Sequence, residues 1–167
     1  YEAFRGERTP NFIIPNGVPE YFSSHMKKNA YLEYLRSKYS KICIASATWR
    51  RHKRLEEIIE AFRDESLQHV VLIVLGGDDY KLSVKSLPSN VILYEKVKPQ
   101  FLPAMYTAAD AMIHLAWLDW CPNTVVEALA CGVPVLCSHN GGTKELVKDN
   151  GVVIQLEETY NIGDRVP

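Results

Sequence analysis

Apolar positions fall along this chain in short runs and stripes that alternate between two periods. Lys41–Ala47 is a strand-like run, and Lys53–Phe62 follows it with Leu55, Ile58, Ile59 and Phe62 on one face of a helix. His69–Leu75 is continuously apolar, the pattern of a strand buried on both faces. Asn90–Tyr94 is a shorter strand, and Pro99–Ala108 a helix with proline at its entrance. Ala111–Leu115 is the next strand. Thr124–Ala130 predicts a helix stopped by Gly132, and Val133–Cys137 another strand. A short helix over Thr143–Lys148 precedes a last strand at Gly151–Gln155. Strands alternating with helices predict an α/β domain of Rossmann-like, three-layer form with a mostly parallel sheet.

That pattern occupies a core of residues 41–155 within a single domain spanning 1–167. The opening segment, residues 1–40, is less regular. Ile13-Ile14-Pro15-Asn16-Gly17-Val18 is a short apolar strand ended by a turn, because Pro-Asn-Gly does not continue a helix. Glu20–Tyr39 carries a helix-compatible but interrupted pattern rich in tyrosine, and residues 156–167 have the character of an exposed tail.

Length and composition narrow the class further. A chain of 167 residues fits one domain and buries roughly two-thirds of its unfolded surface. No apolar run reaches the ~18 residues of a membrane span, and the polar start does not resemble a signal peptide. A net charge of −1 gives no general reason to expect nucleic acid or an anionic membrane as partner. Four cysteines form no C-x-x-C pair. Cys43, Cys131 and Cys137 sit in apolar runs and are expected as buried free thiols, Cys121 in a loop; a cytoplasmic, reducing setting fits.

The chemically unusual residues all follow strands. Ser46–Lys53 comes after the first strand and holds the cationic cluster Arg50, Arg51, Lys53, joined by Arg54. Gly76-Gly77-Asp78-Asp79 comes after the second, Trp117–Thr124 after the fourth, and Ser138–Thr143 after the fifth. Ligands of open parallel sheets bind at the carboxyl ends of the strands, so the four segments are expected along one rim. Cations, glycine turns and helix N-termini there suit a phosphate-bearing ligand. Each feature also has a plainer reading. The basic loop is equally a solvated patch, with Trp49 packed beneath it. Thr124 and Glu127 match a capping box at a helix start. Gly141 and Gly142 serve either a turn or a close backbone approach to a ligand. Asp78-Asp79 is a turn rather than a metal site, because hard cations need more oxygen ligands. His114 ends its strand near the rim, with no catalytic role expected.

Val125-Val126-Glu127-Ala128-Leu129-Ala130-Cys131-Gly132-Val133-Pro134-Val135-Leu136, followed by Gly141-Gly142 and Glu145, resembles the signature of retaining glycosyltransferases of group 1, family 4. The resemblance runs from about Ile13 to Gln155. It implies the C-terminal half of a GT-B architecture, the half that binds a nucleotide-sugar donor. Lys53 matches the lysine that binds the donor diphosphate, with Arg50 and Arg51 as neighbouring cations. Asp119 and Glu127 match the two acids of the E-x7-E motif, in which the first contacts the donor sugar and the second the ribose; both enter the catalytic set. Cys121, Pro122, Asn123 and Thr124 form the loop whose backbone faces the sugar, and Gly141 and Gly142 the glycine loop. Two positions depart from the pattern: the first acid is Asp119 rather than Glu, and Thr48 stands where the family has an arginine.

The implied reaction moves a hexose-type sugar from a nucleoside diphosphate to an acceptor hydroxyl with retained configuration. No metal or other cofactor is expected, because helix termini and Lys53 would carry the departing diphosphate. The N-terminal acceptor-binding domain is the missing partner, so the chain by itself is expected to be inactive. The full enzyme is expected in the cytoplasm or on the cytoplasmic face of a membrane, with any membrane association belonging to that full enzyme. A sugar-nucleotide epimerase half of the same architecture and a non-enzymatic nucleotide-binding α/β module are the alternatives.

Overall fold

The computed structural model describes residues 16–22, 29–77 and 82–156. Asp78 and Asp79, the strand expected at Ile13–Ile14 and the tail from residue 157 onward lie outside these residues. Six strands form one sheet: β1 (Lys41–Ser46), β2 (Val70–Leu75), β3 (Val91–Tyr94), β4 (Ala111–His114), β5 (Val135–Ser138) and β6 (Gly151–Ile154). Their order is β3-β2-β1-β4-β5-β6, and every pair is parallel.

Five α-helices flank the sheet: α1 (Ala30–Lys38), α2 (Leu55–Ala61), α3 (Leu102–Thr107), α4 (Asn123–Ala130) and α5 (Thr143–Val147). Period-two alternation in the central strands separates two cores. Ile42 and Ile44 of β1 and Val71, Ile73 and Leu75 of β2 pack with residues of α1, α3, α4 and α5. Cys43 and Ala45, with Val70, Leu72 and Val74, face the other way onto Leu55, Ile58, Ile59 and Phe62 at α2. Both faces of β2 are thus buried, as its unbroken apolar run predicts.

Most elements match the sequence pattern within one or two residues. The opening segment resolves into a short 3-10 turn at Glu20–Phe22 and α1, whose N-cap Asn29 accepts hydrogen bonds from the amides of Tyr31 and Leu32. Of the four thiols, Cys137 is buried and Cys43, Cys121 and Cys131 are half-buried, all unbridged. Gly132 has φ +76 and ends α4 in the left-handed region, as its position after Ala130 predicts.

Three helix starts differ from expectation: Pro99–Phe101 is a 3-10 turn, so α3 begins only at Leu102, and the other two bear on the site. The helix predicted from Lys53 is broken: Arg51–Lys53 is a separate 3-10 turn, Arg54 is left-handed at φ 57, and α2 begins only at Leu55. A non-glycine residue in that region costs roughly 1–2 kcal/mol, so side-chain contacts must hold it. The Arg54 guanidinium lies 5.4 Å from the centre of the Trp117 ring, and its Nε donates to Glu57 Oε1 at 3.2 Å. The capping box at Thr124 and Glu127 is absent as well. Pro122 occupies the N-cap of α4, Asn123 is already helical, and no side chain caps the helix.

Candidate functional site

β1 and β4 are neighbours in the sheet, but the chain leaves them toward opposite faces, to α2 and α4. This is the topological switch point, where an open α/β sheet forms a crevice at its carboxyl end. The loops leaving the two strands are tied together, since the Trp117 amide donates to the His52 carbonyl at 3.0 Å.

At the mouth of this crevice three side chains meet. Lys53 Nζ is ion-paired with Asp119 Oδ2, and His114 Nε2 lies 3.2 Å from the same oxygen. The lysine and aspartate side chains are only 17% and 16% exposed, and His114 is buried at the end of β4. Burial alone would raise the Asp119 carboxyl, but hydrogen bonds from His114 and Lys53 and the lysine charge outweigh it and hold it at about 2. The carboxylate is therefore charged at neutral pH. Lys53 reaches the pair from the 3-10 turn that precedes the break at Arg54, outside α2. His52 beside it is pushed below the ordinary imidazole range by burial and by the Lys53 charge.

Glu127 stands just past the middle of α4. Its Oε2 accepts a hydrogen bond from the Tyr106 hydroxyl at 3.1 Å. Tyr106 is fully buried on α3, and its phenol is raised chiefly by burial. Burial also raises the Glu127 carboxyl, while the tyrosine bond opposes that rise. One carboxylate oxygen is thus anchored to the core, which leaves Oε1 as the further acceptor.

The backbone around Asp119 is braced from two sides. The Gly142 amide donates to the Asp119 carbonyl at 2.8 Å. A Cβ on Gly142 would stand 2.2 Å from the Trp120 carbonyl oxygen, and one on Gly141 (φ +74) would stand 2.6 Å from that of Asp119. The close approach that these glycines permit is therefore to the loop carrying Asp119. On the other side, Asn16 Nδ2 donates to the Cys121 carbonyl at 3.1 Å and to Asn123 Oδ1 at 2.8 Å.

The structure brings Lys53, Asp119 and the Cys121–Thr124 turn to one rim, with Gly141 and Gly142 packed on the Asp119 loop and Glu127 on the helix that follows it. Arg50 and Arg51 are exposed on the same loop as Lys53, as is Thr48. Trp49 is buried in the core beneath, as expected. Sequence reasoning placed His114 near the rim but not its contact with Asp119, and it missed two supports: Tyr106 is one aromatic among many, and Asn16 was legible only as part of a turn. Among the described residues, five of the six buried side-chain polar atoms that lack a hydrogen-bond partner belong to the loops of this end of the sheet: on Trp49, Arg54, Trp117, His139 and Asn140. Unspent polar capacity therefore collects where a polar ligand would bind. Among the described residues no cluster of three His, Cys, Asp or Glu side chains could hold a metal ion, and no helix is long and apolar enough to cross a membrane.

Comparison with known proteins adds an independent line. The family model described as "Glycosyl transferases group 1" matches residues 31–162. The chain is 25% identical over 140 residues to N-acetyl-alpha-D-glucosaminyl L-malate synthase of Bacillus anthracis, covering 80% of this chain and 37% of that protein. It is 27% identical over 123 residues to spore coat protein SA of Bacillus subtilis (strain 168), covering 67% and 33%. It thus spans about a third of the length of these curated relatives. Among solved structures, WaaG, a glycosyltransferase involved in lipopolysaccharide biosynthesis, superposes with TM-score 0.63 at 23% identity, over 86% of this chain and 42% of that one. Anabaena Alr3699/HepE in complex with UDP-glucose gives TM-score 0.59 at 20% identity, over 80% and 41%. These likenesses carry the Rossmann-like GT-B fold.

Proposed function

Because this chain belongs to the group 1 glycosyl transferases, we propose that it is the C-terminal, donor-binding domain of a retaining enzyme of family 4. On this reading it holds a nucleoside diphosphate-sugar and presents a hexose-type sugar to an acceptor hydroxyl. The observation that carries the proposal is the meeting of Lys53 and Asp119, from loops on either side of the switch point.

Lys53 then faces the donor diphosphate, with Arg50 and Arg51 adding positive charge around it. Its present partner is Asp119, so an incoming diphosphate competes with that carboxylate for the ammonium. Sharing is favourable because two phosphates bring more charge than one carboxylate. As the pair loosens, Asp119 becomes available to sugar hydroxyls, and His114 keeps it from swinging away. Backbone amides of Cys121, Asn123 and Thr124 and the N-terminus of α4 supply further positive potential near the leaving group. Glu127, fixed through Oε2 by Tyr106, offers Oε1 to the ribose hydroxyls.

Lys53 and the α4 terminus carry the charge of the departing diphosphate without a metal. Transfer needs the acceptor-binding domain, so the chain alone holds donor and does not turn it over. The full enzyme works in the cytoplasm or on the cytoplasmic face of a membrane. Calorimetric titration with UDP, GDP and ADP and their hexose conjugates, in buffer containing EDTA, tests the proposal. One nucleotide series is expected to bind and to keep its affinity when Mg²⁺ replaces the chelator. Absence of binding by all of them at millimolar concentration overturns it.

A further inference from the structure

Trp120 is 77% exposed, the most exposed large hydrophobic side chain among the described residues. The other two tryptophans are committed inside the fold, Trp49 in the core and Trp117 half-buried against the Arg54 guanidinium. A single exposed apolar side chain is ordinary on a loose loop. Here the backbone on each side is held. The Asp119 carbonyl accepts from the Gly142 amide, and the Cys121 carbonyl accepts from Asn16 Nδ2. The Trp120 carbonyl packs directly on the α-carbon of Gly142, where a Cβ would stand 2.2 Å away. The preceding side chain, Asp119, is locked by Lys53 and His114.

A fixed backbone thus presents an indole to solvent one residue along the chain from a buried, charged carboxylate. That pairing of an apolar plane and an adjacent hydrogen-bond acceptor matches the two faces of a pyranose. Its axial C–H bonds form an apolar patch, while its hydroxyls project around the edge. The indole offers a broad apolar surface with a negative face, which favours contact with polarised C–H bonds. We propose that Trp120 is a stacking platform for the hexose of the nucleotide-sugar donor and so a determinant of sugar recognition in this chain. The inference rests on the donor-binding reading above and adds a side chain to a loop otherwise assigned only backbone contacts and Asp119.

The test compares nucleoside diphosphate with its hexose conjugate, both titrated into wild type, Trp120→Ala and Trp120→Phe. The side chain is exposed, so both variants should fold, which circular dichroism checks. Trp120→Ala is expected to weaken the hexose conjugate by roughly tenfold and nucleoside diphosphate by less than twofold. Trp120→Phe should recover most of that loss. Acrylamide quenching gives a second readout, because the hexose conjugate should shield wild-type tryptophan fluorescence more than nucleoside diphosphate does. In Trp120→Phe that extra shielding should vanish. Equal losses for both ligands would place the ring on the nucleotide, and no loss for either would leave it without a role in binding; each overturns the platform while leaving donor binding intact. Failure of wild type to bind either ligand overturns the donor-binding reading and this inference with it.

Discussion

Strand β4 has an aspartate near each end, and the two are held in different ways. Asp110, just before the strand, receives the Ile42 amide at 2.8 Å, Arg36 at 2.6 Å and Lys41 at 3.4 Å. Its own amide returns to the Ile42 carbonyl at 2.8 Å, so the cluster closes a backbone clamp between β1 and β4. Asp119, beyond the other end, receives only side chains, Lys53 and His114. Its main-chain carbonyl, rather than its carboxylate, meets the neighbouring loop. A carboxylate tied to backbone holds a fold together, whereas one tied only to side chains can exchange a partner for a ligand without breaking the sheet. The same residue type thus closes a backbone clamp at the amino end of the sheet and a side-chain cluster at the carboxyl end.

Glu127 gives the largest expected separation between the two rims. Glu127→Ala should lose roughly 2–3 kcal/mol of nucleoside diphosphate affinity, because a carboxylate accepting ribose hydroxyls makes charge-assisted bonds. Thr124→Ala should leave affinity nearly unchanged, and stability too, since Thr124 caps nothing. Calorimetry and urea midpoints on both variants check this. Near-normal affinity in folded Glu127→Ala would remove the ribose contact.

Lys53→Ala comes next, at roughly 1.5–3 kcal/mol, or about ten- to a hundredfold, for nucleoside diphosphate. The bare nucleoside should be almost unaffected, because the lysine acts on phosphate charge. Equal losses for the two ligands would move Lys53 into a purely structural role and erase the contrast with Asp110.

The smallest effect sharpens the comparison from the clamp side. Asp110→Asn should cost about 1–2 kcal/mol of stability at neutral pH, with nucleotide affinity unchanged. Against the cost of burial, the Ile42 amide and the cations beside Asp110 hold its carboxyl below the ordinary 3.8. A depressed native pKa means that the stabilisation is complete above the ordinary value and disappears as pH falls through the native one. The gap between wild type and Asp110→Asn in urea midpoint should therefore shrink in acid. The same sign applies to Asp119, whose contribution should be complete above the ordinary 3.8 and be lost progressively as pH falls from there through about 2.

How much of this was legible in the sequence depends on the range of the interaction. The strands and the α/β class follow from local apolar periodicity, and β2 shows it best, being apolar at every position and buried at every position. The rim follows from sheet topology, since loops after parallel strands share one end. Local pattern failed where a tertiary contact overrode it. Nothing near Arg54 signals a left-handed backbone, because the contact stabilising it comes from Trp117, far along the chain. Thr124 and Glu127 have capping-box spacing, yet Pro122 starts the helix earlier and Tyr106 takes the glutamate. The pairing of Lys53 with Asp119 joins residues 66 apart, which no window of sequence displays.

The central claim is that the nucleotide-sugar site lies at the switch point between β1 and β4, at the carboxyl end of the sheet. Amide chemical-shift mapping of the chain during titration with a nucleoside diphosphate-hexose tests it most directly. The account predicts that perturbations cluster at residues 47–54, 115–127 and 138–143, while Arg36, Lys41, Ile42 and Asp110 remain still. Perturbations centred on the Asp110 clamp, or spread evenly over both ends of the sheet, would contradict it.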